Sequence, residues 1–130
     1  LTDQITVNDL PAVWNKKMKE YLGIDVPTDT EGVLQDTHWS GGSFGYFPTY
    51  AYGSAISAQL YQAMAKDIDI EAELKTGTTK AINEWLKEHV HKYGGSKLPK
   101  EILLEATGEE FNPKYYIEYL TTKYKQIYNL

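Results

Sequence analysis

The 130-residue chain contains no cysteine and no arginine. Without cysteine there is no disulfide framework, no thiolate metal site and no thiol nucleophile. Without arginine all 13 basic residues are lysines, so any bidentate guanidinium clamp on a carboxylate must come from outside the chain. No apolar run approaches the roughly 18 residues needed to span a bilayer, and no signal-peptide pattern is present. The formal charge of −5, with no concentrated basic patch, argues against a nucleic-acid surface. Sustained period-two alternation with β-branched residues is missing as well, and so are internal repeats. These absences point to a helical chain from a reducing compartment, with neither a membrane nor a nucleic acid as partner. A cytoplasmic location is expected.

The hydrophobic share of 42% is enough to build a core, and the length suits one domain over residues 1–130. The chain opens at Leu1 rather than at methionine and is read as a piece of a longer product. Residues 1–8 read as an extended lead-in. Asn8 or Asp9 then caps a helix with Pro11 in its first turn and Gly23 past its end. Val13, Trp14, Met18, Tyr21 and Leu22 recur at helical spacing, which predicts a buried face. Thr28 caps a short helical turn into Leu34. A longer helix is predicted from Pro48 to about Asp67, with Tyr52, Ile56, Leu60, Ala63 and Met64 at spacings of three and four. Small residues fill its first half, which predicts close packing between other helices. Asp69 caps a brief helix closed by Gly77, and Thr78 or Thr79 starts another that runs to Tyr93. Pro99 opens a helix that ends at Gly108. Asn112 and Pro113 open the last one, whose Tyr116, Ile117, Leu120, Tyr124, Ile127 and Tyr128 predict a wide buried face. The fold class is all-α.

One run departs from this regular pattern. Residues 32–50 hold a histidine, an aspartate, two tyrosines and four glycines, too polar for a core strand and too aromatic for an ordinary linker. A stretch that breaks local rules just before a clean helix is where a functional site is expected. The chemistry available there is narrow. His89 and His91 are two apart, about 200° around a helix, so they cannot share a metal from it. His38 stands alone in its region, and no metal ligand set is nominated from this chain. No serine sits in a G-x-S-x-G elbow, and the glycines match neither the P-loop nor the dinucleotide fingerprint. What remains is His38 with Tyr46 and Tyr50, which point the same way if the helix begins there. Such a group suits donation to a developing oxyanion. Trp39, Phe44, Tyr46, Phe47 and Tyr50 suit an aromatic core plug equally well.

Gly32-Val33-Leu34-Gln35-Asp36-Thr37-His38-Trp39 fits G-x-x-Q-D-x-H-W at every specified position. With the continuation to Tyr50, it resembles the carboxypeptidase Taq family of thermostable metallocarboxypeptidases. The Pro48 helix and the tyrosine-rich last helix are similar to the end of those enzymes too. The resemblance implies a cytoplasmic, mostly helical, zinc-type peptidase, often a homodimer, that removes single residues from peptide C-termini. Its metal, zinc or cobalt, would be held by an H-E-x-x-H helix and a glutamate lying upstream of this motif and absent here. This chain would then be the C-terminal quarter of such an enzyme, supplying one wall of the cleft at residues 32–50 and no metal ligand. It would bind no metal and show no activity alone. By the same resemblance His38 and one of Tyr46 or Tyr50 would stabilise the oxyanion, and the other tyrosine would hold the substrate. Asp36 would orient His38, and Gln35, Asp36 and Trp39 would contribute to substrate binding. The expected partners are the peptide C-terminus and the upstream catalytic portion. The competing expectation is a self-contained helical module whose aromatic groove takes a peptide or a partner helix.

Overall fold

Proline fixes φ near the helical value and needs no hydrogen-bond partner in a first turn, so Pro48 is a natural helix start. The computed structural model describes residues 4–130. In it the longest helix begins at Pro48. The α-helices among the described residues are α1 (Leu10–Leu22), α2 (Pro48–Asp67), α3 (Ile70–Lys75), α4 (Lys80–His89), α5 (Pro99–Thr107) and α6 (Lys114–Tyr128). Single 3-10 turns occupy Val7–Asp9, Val33–Gln35 and His91–Tyr93. No strand occurs among the described residues, so the all-α expectation holds. Of the extended lead-in, residues 1–3 lie outside the described residues. The chain forms two units, one ending at Phe47 and one running from Pro48 to Leu130.

In the first unit, α1 starts behind Asp9, but that side chain caps nothing ahead of it. Its carboxylate turns back instead, accepting from the Thr6 backbone N–H at 2.8 Å and the Thr6 hydroxyl at 2.6 Å. Gly23 closes the helix in the left-handed conformation. Thr28 does cap the turn after it, its hydroxyl accepting from Glu31 N at 3.3 Å. The predicted buried face of α1 is not realised. Val13, Trp14 and Met18 are half-buried, while Tyr21 and Leu22 are exposed. Periodicity marks which face of a helix is apolar, not what covers it.

The second unit carries the core. Ala63, Met64, Ile70 and Trp85 are buried together, with Leu60, Ile68, Ile82, Leu86, Val90 and Ala106 against them. The Trp85 indole N–H donates to Asp67 Oδ2 at 2.6 Å, and its ring stacks on His89 at 4.4 Å. A buried tryptophan needs a partner of this kind for its one donor. Asp69 caps α3 as expected, accepting from Ala72 N at 3.0 Å. The helix predicted to reach Tyr93 stops at His89, because Val90 adopts a non-helical φ of −129° as the last apolar residue on the core side. His91–Tyr93 then continue as a 3-10 turn.

Gln59 is 1% exposed and anchors α2 to the α5–α6 connection. Its amide nitrogen donates to Thr107 Oγ1 at 3.2 Å and to the Glu110 carbonyl at 3.0 Å, and its amide oxygen accepts from Asn112 N at 2.9 Å. A buried side-chain amide is tolerated when satisfied in this way. Two expectations fail here. Most small residues in the first half of α2 are not enclosed: Ala51, Gly53, Ser54 and Ser57 are exposed, and only Ala55 is buried. Ser54, Ser57 and Ala58 border an open cavity of about 640 Å³ with Tyr116, Tyr119 and Leu120 of α6. Nor does α6 have a buried face. None of its residues is buried, and Ile117, Tyr124, Ile127 and Tyr128 are exposed.

Candidate functional site

The site is built where regular structure stops. Gly32 is buried and comes close to α1: a Cβ there would stand 2.6 Å from Val26 Cγ1, 3.1 Å from Thr28 O and 3.4 Å from Asn15 Oδ1. Only glycine lets the backbone come that near. The 3-10 turn Val33–Gln35 follows, tied back by Gln35, whose side chain donates to Thr30 O at 2.6 Å. Gln35 is exposed and adjoins the aspartate that organises the rest.

The side chain of Asp36 is only 8% exposed and receives three donors, two from His38 and one from Trp39. Its Oδ1 accepts the His38 backbone N–H at 3.0 Å and pairs with His38 Nδ1 at 2.6 Å. Its Oδ2 accepts the Trp39 indole N–H. The spacing explains the set. An aspartate bonding the backbone N–H two residues on forms a tight local turn, and that turn carries the following two side chains over the carboxylate. Partial burial pushes the Asp36 carboxyl up, but the bonds from the His38 ring, the His38 backbone and the Trp39 indole outweigh it. The carboxyl is held below its ordinary value of 3.8.

A second turn folds the aromatic residues back over the first. Gly42 N donates to Trp39 O and Ser43 N to His38 O, both at 2.9 Å. Gly42 and Gly45 have φ of 78° and 76°, a left-handed conformation that residues with a Cβ rarely adopt. The chain reversal lays Tyr46 on His38, with ring centroids 5.1 Å apart and planes 28° apart, and sets Phe47 edge-on to His38 at 5.4 Å. Phe44 meets Trp39 edge to face at 6.1 Å. These rings do not form a core plug, since Phe44, Tyr46 and Phe47 are exposed.

Asp36, His38, Trp39 and Tyr46 are therefore brought together within the first unit, with Gln35 beside them. Tyr50 lies in the first turn of α2, in the second unit, and is exposed. Because α2 begins at Pro48, Tyr46 stands outside it, and the shared helical face proposed for Tyr46 and Tyr50 does not arise. Phe47 was not singled out for a role at the site. Its position one residue past Tyr46 in a glycine-closed loop was the available signal. Among the described residues no three His, Cys, Asp or Glu side chains converge as metal ligands. His89 is stacked on Trp85, and His91 is exposed on the 3-10 turn. What the loop offers is a histidine ring held by a carboxylate on one side and an aromatic face on another, an arrangement suited to donating or accepting a proton at a fixed point.

A family model described as Carboxypeptidase Taq (M32) metallopeptidase matches residues 1–124. Carboxypeptidase 1 of Bacillus subtilis is 48% identical over 130 residues, covering 99% of this chain and 26% of that protein. Thermostable carboxypeptidase 1 of Pyrococcus furiosus is 42% identical over 125 residues, covering 95% of this chain and 25% of that protein. The solved structure of the M32 carboxypeptidase from Deinococcus radiodurans matches with a TM-score of 0.91 at 34% identity, covering 97% of this chain and 26% of that one. The chain spans about a quarter of the length of the curated relatives it matches, and it corresponds to the C-terminal part of the matched structures.

Proposed function

The chain belongs to the carboxypeptidase Taq (M32) metallopeptidase family, and on that premise we propose that it forms part of a metal-dependent carboxypeptidase that removes single residues from peptide C-termini. Its share of the work is one wall of the substrate cleft, residues 32–50, rather than the metal. No metal ligand is assigned to these residues: no three ligating side chains converge among the described residues, and the Asp36 and His38 side chains are bonded to each other. The metal ligands are assigned to the upstream portion of the parent protein. The resemblance alone supports a homodimeric parent, and the lack of cysteine supports a cytoplasmic one.

The observation that carries this reading is the Asp36–His38 bond inside the G-x-x-Q-D-x-H-W octapeptide. With Nδ1–H given to Asp36, a proton on Nε2 can be donated to a peptide carbonyl oxygen as it takes up negative charge, and the Asp36 carboxylate balances the doubly protonated ring. One of Tyr46 or Tyr50 supplies a second hydroxyl donor, and the other holds the backbone or terminal carboxylate of the substrate. A tyrosine hydroxyl suits that second task here because the chain has no arginine to offer. Gln35 and Asp36 belong to the substrate-binding wall, and Trp39 stands behind Asp36 in it. In the full-length protein, His38→Ala should lower kcat by about 10²-fold or more, as for a lost oxyanion donor. A near-normal kcat removes His38 from catalysis.

A further inference from the structure

We propose that Trp39 is a positioning residue: by donating its indole N–H to Asp36, it fixes the orientation of the His38 imidazole. The inference rests on the catalytic reading of His38 and assigns Trp39 its part in that wall. Rotation of a carboxylate about its last side-chain bond is broad, with no sharp staggered minima. An Asp36 held through Oδ1 alone could swing that oxygen away from His38 Nδ1. The Trp39 indole on Oδ2 removes this freedom, because both oxygens are now bonded and the carboxylate plane is fixed. The 2.6 Å contact to Nδ1 then sets the direction of the ring, and Tyr46 limits its tilt.

Trp39 is itself held. Phe44 lies against it at 77°, and the turn that brings Phe44 there is closed by the backbone of His38 and Trp39. Support therefore runs from Phe44 through Trp39 and Asp36 to His38, all within nine residues of chain. An indole has one donor and no acceptor. With that donor engaged by Asp36, Trp39 has no hydrogen bond to give to a peptide, and its part in the wall is to hold the carboxylate.

The test uses the full-length protein with Trp39→Phe, which keeps an aromatic ring for Phe44 and deletes the N–H. A second variant carries 3-benzothienylalanine at position 39, with sulfur in place of N–H and nearly the same shape, in case phenylalanine disturbs folding. Both should lower kcat by about 10- to 100-fold, as for partners that orient a functional histidine, with KM nearly unchanged. In a His38→Ala background the same substitution should cost less than about twofold, because residues acting through one another are not additive. In protein with ¹⁵N-labelled histidine, the balance of the Nδ1 and Nε2 signals of His38 should change when position 39 is changed. A raised KM at unchanged kcat makes Trp39 a substrate contact and overturns the proposal. So does an undiminished loss in the His38→Ala background, or a His38 nitrogen signal that does not change. If His38→Ala is itself silent, the catalytic reading fails, and the nitrogen signal still decides whether Trp39 orients the ring.

Discussion

The imidazole of His38 lies over the phenol ring of Tyr46, centroids 5.1 Å apart and planes 28° from parallel. The contact joins the two ends of a glycine-closed loop, so the ring of Tyr46 lies against a face of His38 while Asp36 bonds its edge. An aromatic pair of this kind contributes about 0.5–1.5 kcal/mol beyond its buried area, up to about a tenfold change in the population of one ring orientation. In the full-length protein, Tyr46→Phe retains the stack, and Tyr46→Leu should fall below it in kcat by up to about tenfold. An equal loss in both variants would make the hydroxyl the working part and Tyr46 the oxyanion donor.

Most helix boundaries were legible because they depend on local chemistry; the end of α4 was not. Pro48, Asp69, Pro99 and Gly108 act through their own backbone or a neighbour three residues away, and the helices they bound appear where expected. Burial was not legible for α1 and α6. The apolar stripe of Tyr21 and Leu22, or of Ile117, Tyr124, Ile127 and Tyr128, shows that a face could be covered and is silent on what covers it. The chain spans about a quarter of its relatives' length, so helical faces that meet other parts of a longer protein would look like this. At the site, the sequence located the run and its histidine but only part of its bonding. The resemblance paired Asp36 with His38, but the Trp39 indole as a further donor to the same carboxylate was not anticipated. That depends on the turn at residues 36–38, which periodicity does not describe.

The Asp36 carboxyl lies below its ordinary value of 3.8 in the folded protein, chiefly because bonds from His38 and Trp39 outweigh its partial burial. A carboxyl with a depressed folded value adds stability that is fully present above the unfolded value and is lost only as pH falls through the folded one. As pH drops past 3.8, Asp36 should therefore remain ionised and keep its three donors, losing them only at still lower pH. The ¹³C resonance of the Asp36 carboxyl should titrate with a midpoint under 3.8, and His38→Ala should move that midpoint upward. A midpoint at or above the ordinary value would contradict the bonding described for this carboxylate.

Gly32 should resist substitution for steric reasons. An added Cβ at Gly32 would stand 2.6 Å from Val26 Cγ1 and 3.1 Å from the Thr28 carbonyl. The carbonyl is backbone and cannot turn aside as a side chain would. Gly32→Ala should destabilise the first unit by about 1–3 kcal/mol, the usual cost of overpacking a tight site. Adding Val26→Ala removes the worse clash and should recover part of the loss. Thermal unfolding of the single and double variants checks this. A double variant no better than Gly32→Ala alone would shift the blame to the Thr28 carbonyl.

Gln59 offers the clearest test of the second unit. Its side chain is buried, and its amide serves the Thr107 hydroxyl, the Glu110 carbonyl and the Asn112 N–H at once. Leucine has nearly the same volume and would fill the space, but it would leave the Glu110 carbonyl and Asn112 N–H unbonded next to α2. Each unsatisfied group costs about 1–3 kcal/mol, more than the gain from burying the added apolar surface, so Gln59→Leu should be clearly destabilising. The loss should be local as well as global. The Asn112 amide, now without an acceptor, should exchange with solvent much faster than in the parent, while amides around Trp85 should change only as far as overall stability falls. Unaltered exchange at Asn112 would mean that the α5–α6 connection is held in place by packing, and that Gln59 is merely accommodated there.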